Sequence, residues 1–405
     1  MSIIEQPEKA CPMATGFRFV GTGPVNSGFE VLDSLQDQHR MWRVEEPQGS
    51  YWMVLDRELL VRGLQDTATF SSTAITPLDP NPAFVMKPVG LDPPEHGKWR
   101  RMLASYFSPR RMPQLEKRAL ERCTELLDDI VAAGECDYVT DFALKYPTTI
   151  FLEIMGLPQE ELDTFLEWEF EIVHPDDNGM LDRDRQTNAM MMVMGRLMRE
   201  IAERRTNPRP DATDIISHAA GWELDEKPIA DDDILSCGLL LFLAGLDTVA
   251  NELSMAMHHL ATHPGDRAAL ATSPQETAPS AVEELLRMYA IPQLARKVTR
   301  DVEFGGQQLR KGEMVMFSLC AANRDPSAVD QAREVVLDRD PTPHYTFGAG
   351  PHRCIGSHLA RLEMEIALRE WHSRIPDYEL ATPEPVQEYR GSIYGLVHLP
   401  LRWGQ

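Results

Sequence analysis

The stretch that decides the fold reads FGAGPHRCIG and covers residues 347–356. Its glycines suit a tight loop, in which φ is positive or the backbone approaches another group closely. The thiol of Cys354 comes just before a segment whose apolar residues recur at helical spacing: Ile355, Leu359, Leu362 and Ile366. The free N–H groups and the dipole of a helix N-terminus favour a thiolate, so we expect a lowered pKa for Cys354. The pattern predicts a permanent thiolate ligand.

Two other interpretations of this cysteine stay open. A lone cysteine is usually an inert, buried side chain. A zinc site is the other alternative, but the spacing of its candidate ligands fits no paired zinc motif; those candidates are His344, His352, Cys354 and His358.

The segment resembles the haem-binding loop of the cytochrome P450 family. Four further motifs of the family occur in the right order, and residues 238–241, 246–249 and 399–403 look like its bacterial camphor hydroxylase branch. The resemblance implies that Cys354 is the axial thiolate of a haem b iron, where sulfur favours O–O bond cleavage. It also implies that the cofactor is lined by Phe347, Gly348 and Gly356.

The fold implied by the resemblance is mainly α with small β-sheets. It is a triangular helical domain with haem between a long central helix and the helix after the cysteine loop. Residues 1–405 would form one domain, with residues 1–15 as a loose arm. The residues agree, because helical periodicity dominates, a β-hairpin is predicted around residues 47–49, and no linker or repeat interrupts the chain.

Composition narrows the function class. The 405 residues carry a formal net charge of −23, which disfavours nucleic acid as a partner. The six cysteines show no paired spacing and no signal peptide precedes them, a pattern typical of the cytoplasm. The longest apolar run, residues 234–246, is too short to span a bilayer, so no membrane contact is expected.

A helix whose first turns are rich in basic residues is predicted after the proline-rich segment 71–91. His96 and Arg100 are four residues apart and share one helix face. By resemblance they hold the haem propionates together with Arg296 and His352, through charge-assisted bonds that are strong when partly buried. A solvated basic helix is the alternative for the first two.

A long central helix is predicted from the aspartates 231–233, which supply N-cap chemistry, to about Thr262. Its middle is apolar on all sides and must be buried, so the polar pair Asp247 and Thr248 needs partners there. By resemblance Gly245 makes room for dioxygen, Thr248 hydrogen-bonds the bound oxygen and Asp247 relays protons. The alternative is a threonine that bonds back to the preceding turn and merely bends the helix.

The family also suggests structural and substrate-contacting residues. Glu284 and Arg287 match a buried pair that is joined by a later arginine, here Arg339, and this triad supports the haem loop. The expected substrate pocket consists of Phe84, Met86, Leu240, Leu243, Ala244, Leu294 and Ile393. Phe84 takes the place of the tyrosine that binds the ketone in the camphor branch, and phenylalanine cannot donate a hydrogen bond. A compact apolar substrate of terpenoid type is therefore predicted in place of camphor.

Electron delivery is expected from proteins. Between residues 95 and 122 eight Lys/Arg stand against three Glu, and such a basic patch would steer an acidic donor. The branch uses a [2Fe–2S] ferredoxin and an NAD(P)H-dependent ferredoxin reductase. The sequence thus predicts a haem-thiolate monooxygenase that hydroxylates or epoxidises a small molecule with O2. The alternatives are a peroxide-driven peroxygenase and a haem protein that senses without turnover; Asp247 and Thr248 argue against both.

Overall fold

The computed structural model describes residues 19–174 and 182–404, so the loose arm predicted for residues 1–15 lies outside the described residues. Helices dominate the described chain, as the sequence predicts. The thirteen α-helices are α1 (Ser27–Gln36), α2 (Arg57–Gln65), α3 (Glu95–Leu103), α4 (Met112–Ala133), α5 (Lys145–Met155), α6 (Leu162–Val173), α7 (Arg183–Thr206), α8 (Ile215–Ala219), α9 (Asp231–Thr262), α10 (Pro264–Thr272), α11 (Pro274–Met288), α12 (Leu319–Asn323) and α13 (Ser357–Arg374).

The strands are short and form small sheets. They are β1 (Gly21–Pro24), β2 (Met41–Glu46), β3 (Gly49–Val54), β4 (Phe70–Ser71), β5 (Glu135–Asp137), β6 (Glu223–Leu224), β7 (Lys227–Pro228), β8 (Gln293–Val298), β9 (Val302–Phe304), β10 (Gln307–Leu309), β11 (Met314–Ser318), β12 (Glu379–Leu380), β13 (Gln387–Arg390), β14 (Gly395–Leu396) and β15 (Pro400–Arg402). The largest sheet has the order β2-β3-β11-β8-β4, and the predicted hairpin around residues 47–49 is its β2–β3 pair.

The pairing of β11 differs from the sequence prediction. We expect residues 314–317 to pair with residues 302–306, but β11 lies between β3 and β8, with Val315 opposite Trp52 on one side and Arg296 on the other. The reason is a two-residue turn at Gly305 and Gly306, both with positive φ, which folds β9 directly onto β10. Arg296, expected ahead of a strand, lies inside β8 and is fixed by its ladder.

The long helix α9 begins differently from the prediction. Ala230 is its N-cap residue and has no side-chain cap, so the expected capping role of residues 231–233 is wrong. These aspartates occupy the first helical turn, where negative charge still favours the helix dipole. Asp233 forms an ion pair with Lys87, and Asp231 forms one with Arg205.

Most of α9 is buried against α5, α6, α7 and α13. The helix is long and apolar enough to cross a membrane, but 61% of its most apolar 18-residue window is buried inside the protein. Gly245 packs against α5, since a Cβ there would lie 2.2 Å from a ring carbon of Phe151. This close approach gives Gly245 a packing role in addition to the one implied by the family.

A buried ionic network joins α11 to the segment before the cysteine loop. The guanidinium of Arg287 is 1% exposed and donates to both carboxylate oxygens of Glu284, at 2.7 and 2.8 Å. Arg339 Nε donates to the same carboxylate at 3.0 Å, and the backbone N–H of Val336 donates at 2.8 Å. These bonds hold the pKa of Glu284 below its ordinary value, against the opposing effect of burial.

Glu284→Gln should destabilise the protein strongly. The change leaves Arg287 charged and uncompensated in the interior, and breaking such a buried pair typically costs on the order of 3–5 kcal/mol. We expect a clearly lower midpoint of thermal unfolding, followed by circular dichroism. The matched control is Asp301→Asn, which breaks the exposed pair with Arg310 and should leave the midpoint nearly unchanged. Equal shifts in both variants would contradict a supporting role for Glu284.

Candidate functional site

The cysteine loop is closed by backbone hydrogen bonds. Cys354 N–H donates to the carbonyl of Phe347 at 2.8 Å, and Gly348 N–H donates to the carbonyl of Tyr345 at 2.7 Å. Gly348 and Gly350 have φ of +72° and +70°, which favours glycine. A Cβ on Gly350 would also lie 2.4 Å from the carbonyl oxygen of Leu64, so the loop lies directly against α2.

The thiol of Cys354 is accessible, although protein atoms surround it closely, so it lies in a recess. Burial raises its pKa above the ordinary value. The opposing influences are a hydrogen bond from Gly356 N–H and the charges of three arginines: Arg100, Arg353 and Arg361. The predicted lowering is therefore wrong for the protein chain alone: the expected donor and cations are present, but desolvation outweighs them.

Phe347 is half-buried beside the cysteine. The guanidinium of Arg361 lies 4.5 Å from the centre of its ring, and the same guanidinium pairs with Glu283. Glu283 also lies 3.0 Å from His344 Nε2. This chain of contacts fixes the orientation of the aromatic ring that shields the loop.

Two histidines stack beside this recess. The rings of His96, on α3, and His352, in the cysteine loop, have centroids 3.8 Å apart. His352 Nε2 is 3.1 Å from the hydroxyl of Ser72, while its buried Nδ1 has no hydrogen-bond partner among the described residues. Burial and nearby arginine charges lower the pKa of His96 to about 4 and that of His352 to about 3. Both rings are therefore neutral at pH 7.

Arg100 and Arg296 are the cations of this cluster, and neither forms an ion pair within residues 19–174 and 182–404. Arg296 is buried and donates to the carbonyl of Ala295 at 2.7 Å. Burial lowers its pKa to about 10. Asp92 is close enough to oppose this shift, but its oxygens accept from Ser71 and Ser72 at 2.5 and 2.8 Å. A buried cation without a counterion is costly, which favours an anionic ligand here.

Thr248 lies on the accessible face of α9. Leu240, Leu243 and Ala244 lie on the same face and are also accessible, whereas most neighbouring positions are buried. The Thr248 hydroxyl donates to the carbonyl of Ala244 at 2.9 Å, as expected for back-bonding to the preceding turn. Its oxygen lone pairs are left free to accept a hydrogen bond on this open face.

Asp247 points away into a buried polar cluster that the sequence does not reveal. It is 1% exposed and accepts from Asn251 Nδ2 at 2.5 Å and from the Tyr389 hydroxyl at 3.3 Å. The carboxyl of Glu169 lies within hydrogen-bond reach of it. Burial raises the pKa of Asp247 to about 6 and that of Glu169 well above its ordinary value. Helical spacing could have pointed to Asn251; nothing local points to Glu169 or Tyr389.

The predicted pocket residues lie on several segments. Phe84 is 43% exposed and Met86 is half-buried, on a loop held by Ser236 of α9. The Ser236 hydroxyl donates to the carbonyl of Val85 at 2.6 Å and accepts from Lys87 N–H at 3.0 Å. Leu294 lies next to Gly348 of the cysteine loop, and Ile393 bridges to Pro292 beside the β13–β14 hairpin.

Comparison with known proteins identifies the family. A family model described as "Cytochrome P450" matches residues 277–371. A probable cytochrome P450 127A1 from Sinorhizobium fredii is 32% identical over 354 residues, which cover 87% of this chain and 83% of the relative. The chain belongs to the cytochrome P450 family.

Further comparisons support the enzyme class and the fold. The mycinamicin IV hydroxylase/epoxidase of Micromonospora griseorubida is 30% identical, over 91% of this chain and 94% of that protein. The crystal structure of CYP101J2 superimposes with a TM-score of 0.84 at 27% identity and covers 96% of each chain. This cytochrome P450 therefore has the mainly α fold predicted from the sequence and is a monooxygenase.

The residues of this cytochrome P450 fit haem b, the cofactor of the family. An accessible thiol receives a backbone N–H at the start of α13 and is influenced by the charge of Arg100, while Arg296 acts on His96 and His352. Neither guanidinium forms an ion pair in the described structure. The buried, unpartnered Nδ1 of His352 adds a polar atom that a ligand can satisfy. Such a set of donors suits a flat ligand that carries carboxylates.

Arg296→Met should stabilise the haem-free chain and weaken the binding of haem. Removal of a buried, uncompensated charge should raise the thermal midpoint of the haem-free chain. Loss of a charge-assisted hydrogen bond, worth about 1.5–3 kcal/mol, should make haem transfer to an acceptor protein roughly 10- to 100-fold faster. The control is Arg300→Met, an exposed side chain that donates to the Thr69 hydroxyl and should leave haem transfer unchanged. Unaltered transfer in Arg296→Met would contradict the assignment.

Proposed function

We propose that this cytochrome P450 hydroxylates or epoxidises a compact apolar molecule of terpenoid type, with O2 and electrons from a ferredoxin. The observation that carries the proposal is the accessible thiol of Cys354, which receives the Gly356 N–H and is influenced by the charge of Arg100, a cation that forms no ion pair within the described residues. The printed activity of the Micromonospora relative, hydroxylation or epoxidation, supports the reaction type.

Each residue of the site has a role in this proposal. Cys354 would bind the haem iron through its thiolate, while His96, Arg100, Arg296 and His352 would hold the carboxylates of the cofactor. Haem b, when bound, supplies the activation of oxygen, and a thiolate ligand favours O–O cleavage. The protein positions the cofactor, controls protons and excludes water. The raised pKa of the free thiol implies that cofactor binding releases a proton from Cys354.

Two residues of α9 control the delivery of protons in this proposal. The Thr248 hydroxyl is committed as a donor to the Ala244 carbonyl and can accept a further hydrogen bond on the open face. Asp247 lies in the interior together with Glu169, Asn251 and Tyr389. It can therefore pass a proton to the Thr248 side without exposing that side to bulk water. Positioned proton transfer of this kind contributes on the order of 10²–10⁴ to rates.

The residues proposed to line the substrate pocket favour an apolar substrate. Leu240, Leu243 and Ala244 carry apolar side chains, and so do Phe84, Met86, Leu294 and Ile393. Binding through such a surface gives shape selection and little polar orientation. This supports a compact hydrocarbon-rich substrate.

The electron donor is proposed to be an acidic [2Fe–2S] ferredoxin, served by an NAD(P)H-dependent reductase. The segment from α3 to α4 is basic in a chain whose net charge is −23. Within the described residues, Arg101 and Arg110 of this segment form no ion pair, which leaves their charges available for steering. We place the enzyme in the cytoplasm, as the unpaired cysteine pattern suggests.

Cys354→Ser tests the cofactor assignment. Reduced wild-type protein with carbon monoxide should show the Soret band of a thiolate-ligated haem, and the variant should lose it, since a hydroxyl is not a thiolate donor. Cys136→Ser replaces another partly buried cysteine and should keep the band. A band typical of histidine ligation in wild type would overturn the proposal.

Thr248→Ala tests proton control. The carbon monoxide spectrum should remain, while consumed reducing equivalents should appear as hydrogen peroxide and product formation should fall on the order of 10-fold or more. Thr262→Ala removes a threonine with the same back-bond, to the carbonyl of His258 at 2.8 Å, far along α9. It should leave coupling unchanged. Full coupling in Thr248→Ala would contradict the role.

A further inference from the structure

A second carboxyl lies beside Asp247 in the interior. Glu169, on α6, is 0% exposed, and no donor group in residues 19–174 and 182–404 gives either of its oxygens a hydrogen bond. Its carboxyl is within hydrogen-bond reach of the Asp247 carboxyl on α9. Neither residue forms an ion pair in the part of the chain that the structure describes. Two buried carboxyls thus face each other without a cation.

Chemistry requires a proton between them. Two ionised carboxylates are both acceptors, so they cannot hydrogen-bond, and their charges repel strongly where water is excluded. One of the pair must therefore be protonated. Asp247 already accepts from Asn251 and Tyr389, which stabilise it as the carboxylate, whereas Glu169 has no such donor. The geometry leaves the proton on Glu169.

The surroundings of the pair are neutral or polar. His174, at the end of α6, has its ring centroid 4.5 Å from that of Tyr389, and burial lowers the pKa of His174 to about 4, so it is uncharged at pH 7. Arg185, on α7, acts electrostatically on His174 and lies 3.5 Å from Glu171, with which it pairs. Nothing described here stabilises two negative charges on the pair.

We propose that Glu169 stores the proton that Asp247 passes to the Thr248 side, so that the acid of this site is a carboxyl pair. The inference rests on the proposed monooxygenase function. The O–H bond of Glu169 breaks and an O–H bond forms on the Asp247 carboxylate, so one proton stays on the pair. Asp247 then releases this proton to an acceptor on the Thr248 side while a hydronium ion from solvent reprotonates Glu169, so the pair never carries two negative charges. No electron changes place in this step.

The carboxyl pair explains where the proton comes from, which a lone aspartate at position 247 does not. Asp247 accepts hydrogen bonds from Asn251 and Tyr389, which favour its carboxylate form, so a lone aspartate here would have no proton to give. Glu169 receives no such hydrogen bond within the described residues, and burial raises its pKa well above the ordinary value, so it is the group that carries the proton. An amide at position 169 would fill the same space and hydrogen-bond Asp247 but would have no acidic proton.

Glu169→Gln in the haem-loaded enzyme tests this. Infrared difference spectra of wild type minus variant should show a protonated-carboxyl C=O band at pH 7 that shifts in D2O. The difference is needed because Glu252 and Glu363 are also buried carboxyls with raised pKa values. Product formation should slow on the order of 100-fold, with a larger solvent isotope effect and an unchanged carbon monoxide spectrum.

The matched control is Glu167→Gln, an exposed residue two positions earlier on α6, which should change none of these readouts. Should Glu169→Gln fail to fold, Asp247→Asn provides the second test, because burial alone should keep the Glu169 band there. Absence of the band in wild type, or an unchanged rate and isotope effect in Glu169→Gln, would overturn the inference. If Thr248→Ala uncouples the enzyme while Glu169→Gln does not, this inference fails and the proposed function stands.

Discussion

Uncompensated positive charge is the constraint on which the rest of this site depends. Arg100 and Arg296 both act electrostatically on His96 and His352, and the structure gives neither arginine an ion pair among the described residues. Such an arrangement is unfavourable in the folded chain by itself. The scaffold must therefore be stable enough to hold these cations, and the buried network around Glu284 ties α11 to the segment that precedes the cysteine loop in the chain.

The two faces of α9 separate two tasks. The accessible face with Ala244 and Thr248 is available to ligands, whereas Asp247 is turned into the interior. The separation follows from helical geometry, because consecutive positions of a helix point in different directions. The acid and the alcohol thus stay adjacent in the chain while they experience different dielectric surroundings.

Sequence reasoning succeeds here where a feature is local. The cysteine loop, α9 and the β2–β3 hairpin depend on short-range spacing, and all three were predicted. One partner of β11 is distant in the chain, since Val315 lies opposite Trp52, and no local pattern encodes this pairing, so the prediction for β11 is wrong. The pKa of Cys354 was also predicted in the wrong direction, because desolvation depends on packing that no local pattern encodes. The sequence does not predict the contacts of Glu169 and Tyr389 with Asp247 for the same reason, since these residues are distant in the chain and come together only in the folded protein.

The anchoring of the loop that carries Phe84 has a mechanical consequence. Ser236 clamps the backbone on both sides of Met86 through its single hydroxyl, and it lies in the same unbroken helix as Thr248. The twelve residues from one to the other correspond to about 18 Å of continuous helix. Outward displacement of this loop would therefore break hydrogen bonds made by the same helix that carries Thr248.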